Sequence, residues 1–365
     1  MYDDVFLDKK LDERHEQNAL RELRLFADKI DFCSNDYLGI VKNDLLSRHY
    51  RKGITYKHGS TGSRLLAGNY SLIKKVENDI AAFHKSEAAL IFNSGYDANV
   101  GLLSSIPQKG DTIIYDQIIH ASMRDGIRLS FARSFSFLHN DFDDLQKKLQ
   151  QASGNIFVVT ESVFSMDGDT CPLREIIILC QKYKAHLILD EAHAIGIIGE
   201  EGEGLAQHLQ LHNECFARVY TFGKACGCHG AVVCGSNRLT TYLINFARSF
   251  IYSTALPEVA VAAIEATYKT FPFMQDERNL VKQFVRTFQA ADLGFEKITS
   301  ATPIQGILVP GNKQVKEVAE QLQQNNFDVR PILYPAVAKA KERLRIVLHA
   351  FNTQDEMTAL IKLLQ

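Results

Sequence analysis

Two short segments carry side chains that suit chemistry on an aldehyde cofactor. Lys224 lies in a turn of small residues that follows an apolar run, and Asp190 and His193 stand at the end of an earlier apolar run. A lysine amine forms a Schiff base with an aldehyde, and a buried carboxylate keeps a pyridine nitrogen protonated so that the ring accepts electrons. His193 is close enough in sequence to reach the same ring. The pattern therefore indicates pyridoxal 5'-phosphate (PLP) as the cofactor.

The phosphate of such a cofactor needs backbone donors at the start of a helix. Residues 93–99 (NSGYDAN) follow an apolar run and open a helical pattern, which supplies free N–H groups and a favourable dipole. Thr221 and Ser162 are candidate hydroxyl donors, and an imidazole at His120 could stack on an aromatic ring. All three residue types are also common in ordinary turns and helix caps, so these assignments stay open at this point.

Other readings of the same motifs fail on spacing. Asp190-Glu191-Ala192-His193 also occurs in helicase-type ATPases, but the G-x-x-x-x-G-K-[ST] loop that such enzymes need is missing from the sequence. A metal site would need further ligands at suitable spacing, and none is found. Cys226-Gly227-Cys228-His229 lacks a second cysteine pair and is interpreted as tight packing. The sequence predicts no metal centre.

Composition limits the class of protein. The 365 residues are 46% hydrophobic and 23% charged, enough for a large core and for two domains. A net charge of −2 gives no general attraction to nucleic acid or to an anionic membrane. The seven cysteines are typical of reduced, buried thiols, and the charged N-terminus lacks an apolar signal core. We therefore expect a soluble, cytoplasmic enzyme.

Apolar runs alternate with helical patterns along most of the chain, which predicts an α/β fold with a mostly parallel sheet covered by helices. The predicted strands are 88–92, 112–115, 155–159, 186–189 and 218–220. An amphipathic helix is expected over residues 8–25, and a smaller α+β unit follows Pro257. The expected domains are an N-terminal helix and arm (1–40), a large PLP-binding domain (41–256) and a small C-terminal domain (257–365).

The motifs, taken in order, resemble the α-oxoamine synthases, a family of fold-type I PLP enzymes. The resemblance covers nearly the whole chain. The matching stretches are 34–39 (SNDYLG), 59–68 (GSTGSRLLAG), 94–96 (SGY), 120–122 (HAS), 162–169 (SVFSMDGD), 190–193 (DEAH), 221–224 (TFGK), 253–257 (STALP) and 343–346 (RLRI).

This resemblance implies a role for each cofactor residue. Lys224 would bind PLP covalently and later move the Cα proton of the substrate. Asp190 would pair with the pyridinium nitrogen, His193 with the ring hydroxyl, and His120 would stack on the ring. The residues implied around the phosphate are Gly95, Tyr96, Ser162 and Thr221, with Thr254 reaching in from the partner subunit of a homodimer.

The resemblance also implies a decarboxylative condensation of a small amino acid with an acyl thioester. Arg345 would bind the amino-acid carboxylate, with Asn35 nearby. The stretch 11–21 is similar to the branch that joins alanine to a pimeloyl thioester, from CoA or a carrier protein, to give 8-amino-7-oxononanoate in biotin biosynthesis. In that branch an arginine, here Arg21, lines the acyl entrance.

Two departures concern the acyl donor. The segment between Arg24 and Asp31 is shorter than in that branch, and residues 334–339 replace a more proline-rich loop. Other α-oxoamine synthases, including 2-amino-3-oxobutyrate CoA ligase, serine palmitoyltransferase-like enzymes and aminoketone signal synthases, remain alternatives. So does an aminotransferase or a lyase of the same fold.

Overall fold

The computed structural model describes residues 3–25, 28–49 and 55–365. The chain divides into two compact units. The larger consists of Asp36–Ser165 and Thr170–Arg278, and the smaller of Met1–Asn35, Met166–Asp169 and Asn279–Gln365. No helix in the described part is long and apolar enough to cross a membrane.

The division falls at Arg278 rather than at the expected boundary before Pro257. The helix after Pro257 belongs to the larger unit because it is bonded to it: Lys75 Nζ lies 2.9 Å from Glu265 Oε1, and the Thr267 hydroxyl donates to the Cys226 carbonyl at 2.6 Å. Pro257 therefore marks the start of a helix but not the boundary between the two units.

The N-terminal segment contains α1 (Asp8–Glu16) and β1 (Ile30–Asp31). The prediction of one helix over 8–25 is wrong in its length. Asn18 takes a left-handed conformation with a φ of 51°, and the Ala19 amide donates to the Arg14 carbonyl at 2.8 Å. This closing turn ends the helix, as left-handed residues commonly do. Arg21 consequently lies in an exposed irregular segment and not on a helix face.

The larger unit is built on a seven-stranded sheet in the order β2-β8-β7-β6-β5-β3-β4. Its strands are β2 (Ala88–Phe92), β3 (Thr112–Asp116), β4 (Arg133–Phe137), β5 (Ile156–Glu161), β6 (His186–Asp190), β7 (Ala217–Thr221) and β8 (Ala231–Gly235). The predicted strands correspond to β2, β3, β5, β6 and β7. Strands β4, β3, β5, β6 and β7 run parallel, and β8 is antiparallel to both of its neighbours. The expected fold class, a mostly parallel sheet covered by helices, is confirmed.

Helices connect these strands. They are α2 (Ser71–Phe83), α3 (Gly95–Ser105), α4 (Ala121–Leu129), α5 (Phe142–Gln150), α6 (Leu173–Tyr183), α7 (Leu205–His208), α8 (Asn237–Phe246), α9 (Arg248–Ile251) and α10 (Glu258–Tyr268). Short 3-10 helices occupy Val5–Leu7, Ser47–His49, His212–Glu214 and Phe271–Phe273. The start of α3 is fixed by Ser94, whose hydroxyl accepts the Asp97 amide at 3.1 Å, as is typical of an N-cap.

The smaller unit has a four-stranded antiparallel sheet in the order β12-β13-β10-β9 and a separate parallel pair of β1 and β11. Its further elements are α11 (Gln275–Ala290), β9 (Lys297–Ile298), β10 (Ile304–Leu308), α12 (Asn312–Gln324), β11 (Phe327–Asp328), β12 (Arg330–Ile332), β13 (Arg343–Val347) and α13 (Gln354–Leu364). Buried side chains of the three helices pack on the sheet around Phe32, Phe288 and Ile346. This unit therefore has a hydrophobic core of its own.

Candidate active site

The polar side chains of the larger unit gather at one edge of its sheet. Strands β5, β6 and β7 end at Glu161, Asp190 and Thr221, and register pairs Glu161 with Asp190. Because these strands are parallel, their carboxyl ends share an edge, which is where open α/β sheets place their ligands. Lys224 follows β7 by three residues and is therefore held at the same edge.

Strand β8 brings the start of α3 to this edge as well. In the sheet register Ala231 of β8 is the partner of both Phe92 and Thr221. Since β8 is antiparallel to β2 and to β7, those two strands point the same way and end side by side. A Cβ atom added to Gly95 would lie 2.5 Å from Thr221 Cγ2. Only glycine fits there, so the helix start and the end of β7 touch.

The contacts around Gly95 suit a phosphate group. Within the described part of the chain the backbone N–H groups of Gly95 and Tyr96 have no acceptor. Free N–H groups in the first turn of a helix attract anions. Lys224 Nζ lies 3.3 Å from Thr221 Oγ1, next to these amides. The Tyr96 ring is half exposed, and its hydroxyl donates to Asp125 at 2.7 Å.

Asp190 is almost fully buried and is held by two donors. Its Oδ1 accepts the Ala192 amide at 2.8 Å, and its Oδ2 accepts Asn99 Nδ2 at 2.8 Å. His193 is also buried, and its Nδ1 lies 2.7 Å from the Tyr37 hydroxyl. A buried carboxylate fixed in this way at the carboxyl end of the sheet suits the protonated ring nitrogen of a pyridine cofactor.

His120 is the N-cap of α4 and is exposed at the same edge. Its Nδ1 lies 2.7 Å from the Ser122 hydroxyl, and its backbone N–H donates to Glu161 Oε1 at 2.5 Å. Although the residue is exposed, neighbouring atoms desolvate its ring, and this together with the nearby Lys224 ammonium lowers the pKa of His120, while Asp190 acts in the opposite direction. The imidazole is therefore neutral at neutral pH.

Glu161 is a buried carboxyl that the sequence interpretation overlooked. Burial and the neighbouring Asp190 carboxylate raise its pKa well above the ordinary value, although the His120 N–H opposes this. Glu161 lies two residues after the predicted strand 155–159 and ends the observed β5, but nothing in its spacing distinguished it from other acids near strand ends. Glu161 and Asp190 thus end adjacent strands but make different contacts, and Glu161 holds the start of α4.

Asn99, Ser122 and Tyr37 were also overlooked. Each contacts a predicted site residue: Asn99 touches Asp190, Ser122 touches His120 and Tyr37 touches His193. A signal existed for Asn99 alone, because it is a polar residue on the buried face of α3, where only 2% of its surface is exposed. Such a residue needs a polar partner.

The Ser162 hydroxyl lies at the same edge of the sheet and binds the backbone of the neighbouring strand. Ser162 is fully buried, and its hydroxyl donates to the Asp190 carbonyl at 3.1 Å, while its backbone N–H donates to the same oxygen at 2.9 Å. The hydroxyl therefore joins the ends of β5 and β6, and its predicted contact with a phosphate stays a prediction. The reason is the parallel pairing, which places the residue after β5 beside the end of β6.

Thr254 is exposed and forms an isolated bridge with Ser63. Its carbonyl accepts Asn93 Nδ2 at 2.7 Å, which ties it to the loop before α3. In the smaller unit Arg345 Nη2 donates to Asn35 Oδ1 at 2.8 Å. The structure therefore brings together Lys224, Thr221, Gly95 and Tyr96, and also Asp190 and His120, and it separately pairs Arg345 with Asn35. It leaves Arg21 exposed on the N-terminal segment.

These features can be compared with known proteins. A sequence profile of the family aminotransferase class I and II matches residues 27–364. The chain belongs to the aminotransferase class I and II family. Within that family an 8-amino-7-oxononanoate synthase from Lysinibacillus sphaericus is 38% identical, covering 97% of this chain and 95% of the relative. The predicted resemblance to the α-oxoamine synthases is confirmed.

Solved structures of this family have the same fold. A serine palmitoyltransferase from Sphingomonas wittichii matches with a TM-score of 0.91 and 26% identity, covering 100% of this chain and 97% of the other. An 8-amino-7-oxononanoate synthase from Francisella tularensis matches with a TM-score of 0.78 and 30% identity, covering 92% of this chain and 96% of the other. The predicted PLP-dependent enzyme class is confirmed, and the residues at the sheet edge fit that cofactor.

Proposed function

We propose that this enzyme condenses alanine with a pimeloyl thioester, with loss of CO₂, to give 8-amino-7-oxononanoate and a free thiol. The observation that carries this proposal is the 38% identity to an 8-amino-7-oxononanoate synthase over nearly the full length of both chains. The matched length extends through both units. A cytoplasmic location stays a prediction.

In this proposal the larger unit holds PLP. Lys224 attaches the cofactor and carries the proton that leaves the substrate Cα. Asp190 keeps the ring nitrogen protonated, and His193 binds the ring hydroxyl. The N–H groups of Gly95 and Tyr96, together with the Thr221 hydroxyl, bind the phosphate. PLP, when bound, supplies an electron-accepting ring that stabilises negative charge at the substrate Cα.

The remaining residues bind and orient the substrates. Arg345 binds the alanine carboxylate, a task suited to a planar guanidinium, and Asn35 keeps the guanidinium in place through its 2.8 Å contact. His120 covers one face of the ring and excludes water from it. Thr254 completes the phosphate site of a second protomer in a homodimer. Arg21 lines the entrance for the acyl chain.

One assay tests the reaction. Purified enzyme loaded with PLP is supplied with alanine, glycine or serine and with a series of acyl-CoAs and acyl carrier proteins, and thiol release and CO₂ are measured. We expect release to require both alanine and a pimeloyl thioester. Arg21→Ala should raise the KM for the pimeloyl donor and leave the alanine affinity unchanged. Amino-group transfer without a thioester would instead identify an aminotransferase.

The fold likeness to serine palmitoyltransferase favours a second candidate, a synthase that uses serine and a long-chain acyl thioester. The same assay separates the two. Thiol release with serine and palmitoyl-CoA, and none with alanine and pimeloyl-CoA, would replace the first proposal by the second.

A further inference from the structure

Two donors converge on one nitrogen of His120. Nδ1 lies 2.7 Å from the Ser122 hydroxyl oxygen, and the Ser122 backbone N–H donates to the same nitrogen at 3.2 Å. A backbone N–H directed at a ring nitrogen disfavours a proton there, but this contact is long, so the nearer Ser122 hydroxyl decides the tautomer. The geometry thus favours a neutral ring with its proton on Nε2.

The direction of the Ser122 hydroxyl is fixed from the other side. Asn99 Nδ2 donates one hydrogen to Ser122 Oγ at 3.0 Å and the other to Asp190 Oδ2 at 2.8 Å. The amide cannot be reversed, because its oxygen would then face the Asp190 carboxylate. Since Ser122 Oγ accepts from Asn99, the serine hydrogen is left to donate to His120 Nδ1.

Asn99 gains little stability from this arrangement. Its Oδ1 is buried and has no hydrogen-bond partner among the described residues. A buried, unpaired carbonyl oxygen is destabilising, so the amide is held in place only by the two bonds that its nitrogen donates. Such a residue is better explained by the orientation that it imposes than by stability.

We infer that Asn99 and Ser122 form a hydrogen-bond relay that couples Asp190 to His120 and holds the imidazole as the Nε2–H tautomer. Both are positioning residues, since each acts through another side chain. The relay makes Nε2 a fixed hydrogen-bond donor at the exposed edge of the sheet. The functional use of that donor rests on the proposed function, whereas the tautomer itself depends only on the contacts above.

Other charged groups also surround the ring. Asp190 at the end of β6 and Asp125 on α4 favour its protonated form, and Lys224 after β7 opposes it. Glu161 at the end of β5 holds the backbone of His120 and not its ring. The relay adds to the effect of Lys224, because a proton on Nδ1 would face two donors.

The test is ¹⁵N NMR of holoenzyme labelled at its twelve histidines, with His120 assigned from the signals lost in His120→Gln. We expect wild type to show a protonated Nε2 and an unprotonated Nδ1. Ser122→Ala removes the nearer donor and should give a mixture of tautomers. Ser122→Thr keeps the hydroxyl and should restore the wild-type signals.

Asn99→Asp gives a sharper outcome. The new carboxyl group would share a proton with Asp190 and accept the Ser122 hydrogen through its other oxygen, so the serine oxygen would accept from His120 and the imidazole proton would move to Nδ1. Asn99→Ala, which adds no charge, should release the serine and give a mixture. A proton on Nδ1 in wild type, or unchanged signals in folded Ser122→Ala and Asn99→Ala proteins, would overturn the inference. No substrate is used, so failure of the proposed reaction would be a separate result.

Discussion

Arg345 Nη2 donates a hydrogen bond of 2.8 Å to Asn35 Oδ1 across a sequence separation of 310 residues. Arg345 lies on β13 opposite Gly306 of β10, and Asn35 ends the N-terminal part of the smaller unit. The pair combines a guanidinium with an amide, which are both side chains that bind carboxylates.

We expect Arg345→Ala to weaken alanine binding by about 2–4 kcal/mol, since a charge-assisted contact to the substrate carboxylate is lost. Alanine titration of the PLP absorbance measures the affinity. The control is Arg330→Ala on the neighbouring strand, where the guanidinium pairs with Asp328 at 2.5 Å. It should change the alanine affinity by less than about 0.5 kcal/mol. Equal affinity in Arg345→Ala and wild type would show that this arginine is only structural.

Lys224 is expected to be the covalent attachment point of PLP. Borohydride treatment of the purified protein should bleach the cofactor absorbance and leave a pyridoxyl group on the peptide that contains Lys224. Peptide mass mapping checks this, and the other lysine peptides are the internal control. Lys224→Ala should bind PLP without a covalent bond and should lack turnover. A pyridoxyl group on a different lysine would contradict the assignment.

Gly95→Ala should lower the affinity for PLP because the new methyl group would meet Thr221 Cγ2 at 2.5 Å and displace the phosphate donors. The matched control is Gly59→Ala, since a Cβ at Gly59 has no atom within 4 Å. Dissociation constants from fluorescence titration of the cofactor-free proteins measure the effect. We expect at least a 10-fold loss, or about 1.4 kcal/mol, in Gly95→Ala only. Similar constants for both variants would argue against phosphate binding at the start of α3.

If the two protomers of a homodimer share their active sites, mixing two inactive variants should restore part of the activity. Lys224→Ala removes the attachment point, and Thr254→Asp places a negative charge where the partner's phosphate is expected. After subunit exchange, one of the two sites in a mixed dimer would contain neither substitution, so part of the activity should return. Exchange is confirmed with differently tagged chains. No recovery in proven mixed dimers would contradict a shared site, and a fully active monomer would exclude it.

Glu161 should make stability depend on pH. Its pKa is raised from 4.5 by burial and by Asp190, so the folded state favours the neutral carboxyl. The stability that the neutral Glu161 carboxyl contributes is complete below pH 4.5 and is lost as the pH rises through the folded-state pKa. Glu161→Gln keeps an uncharged acceptor for the His120 N–H. Its free energy of unfolding should therefore rise relative to that of wild type as the pH increases, by up to about 1.4 kcal/mol per pH unit.

Urea unfolding at pH 5 and pH 8 measures this difference. Glu317→Gln, in an exposed ion pair with Lys313, is the control and should show almost no pH-dependent difference. If Glu161→Gln loses stability relative to wild type between pH 5 and pH 8, the carboxyl is charged in the folded protein and the assignment is wrong.

The sequence by itself determined the class of fold and predicted the central site residues. Runs such as 88–92 and 186–189 are apolar on both faces, and this local property identifies buried strands without knowledge of their neighbours. Lys224 and Asp190 could be identified because each follows such a run, and the ends of parallel strands meet at one edge. Local composition and order along the chain were sufficient for both.

Only the tertiary structure decided which residues meet. Strand β8, antiparallel to both neighbours, aligns β2 with β7 and so brings Gly95 to Thr221. The pairing of β5 with β6 turns the Ser162 hydroxyl to the Asp190 carbonyl, and a left-handed Asn18 ends α1 before Arg21. Asn99 reaches Asp190 across 91 positions. Such contacts depend on the register of distant segments, which local periodicity does not encode.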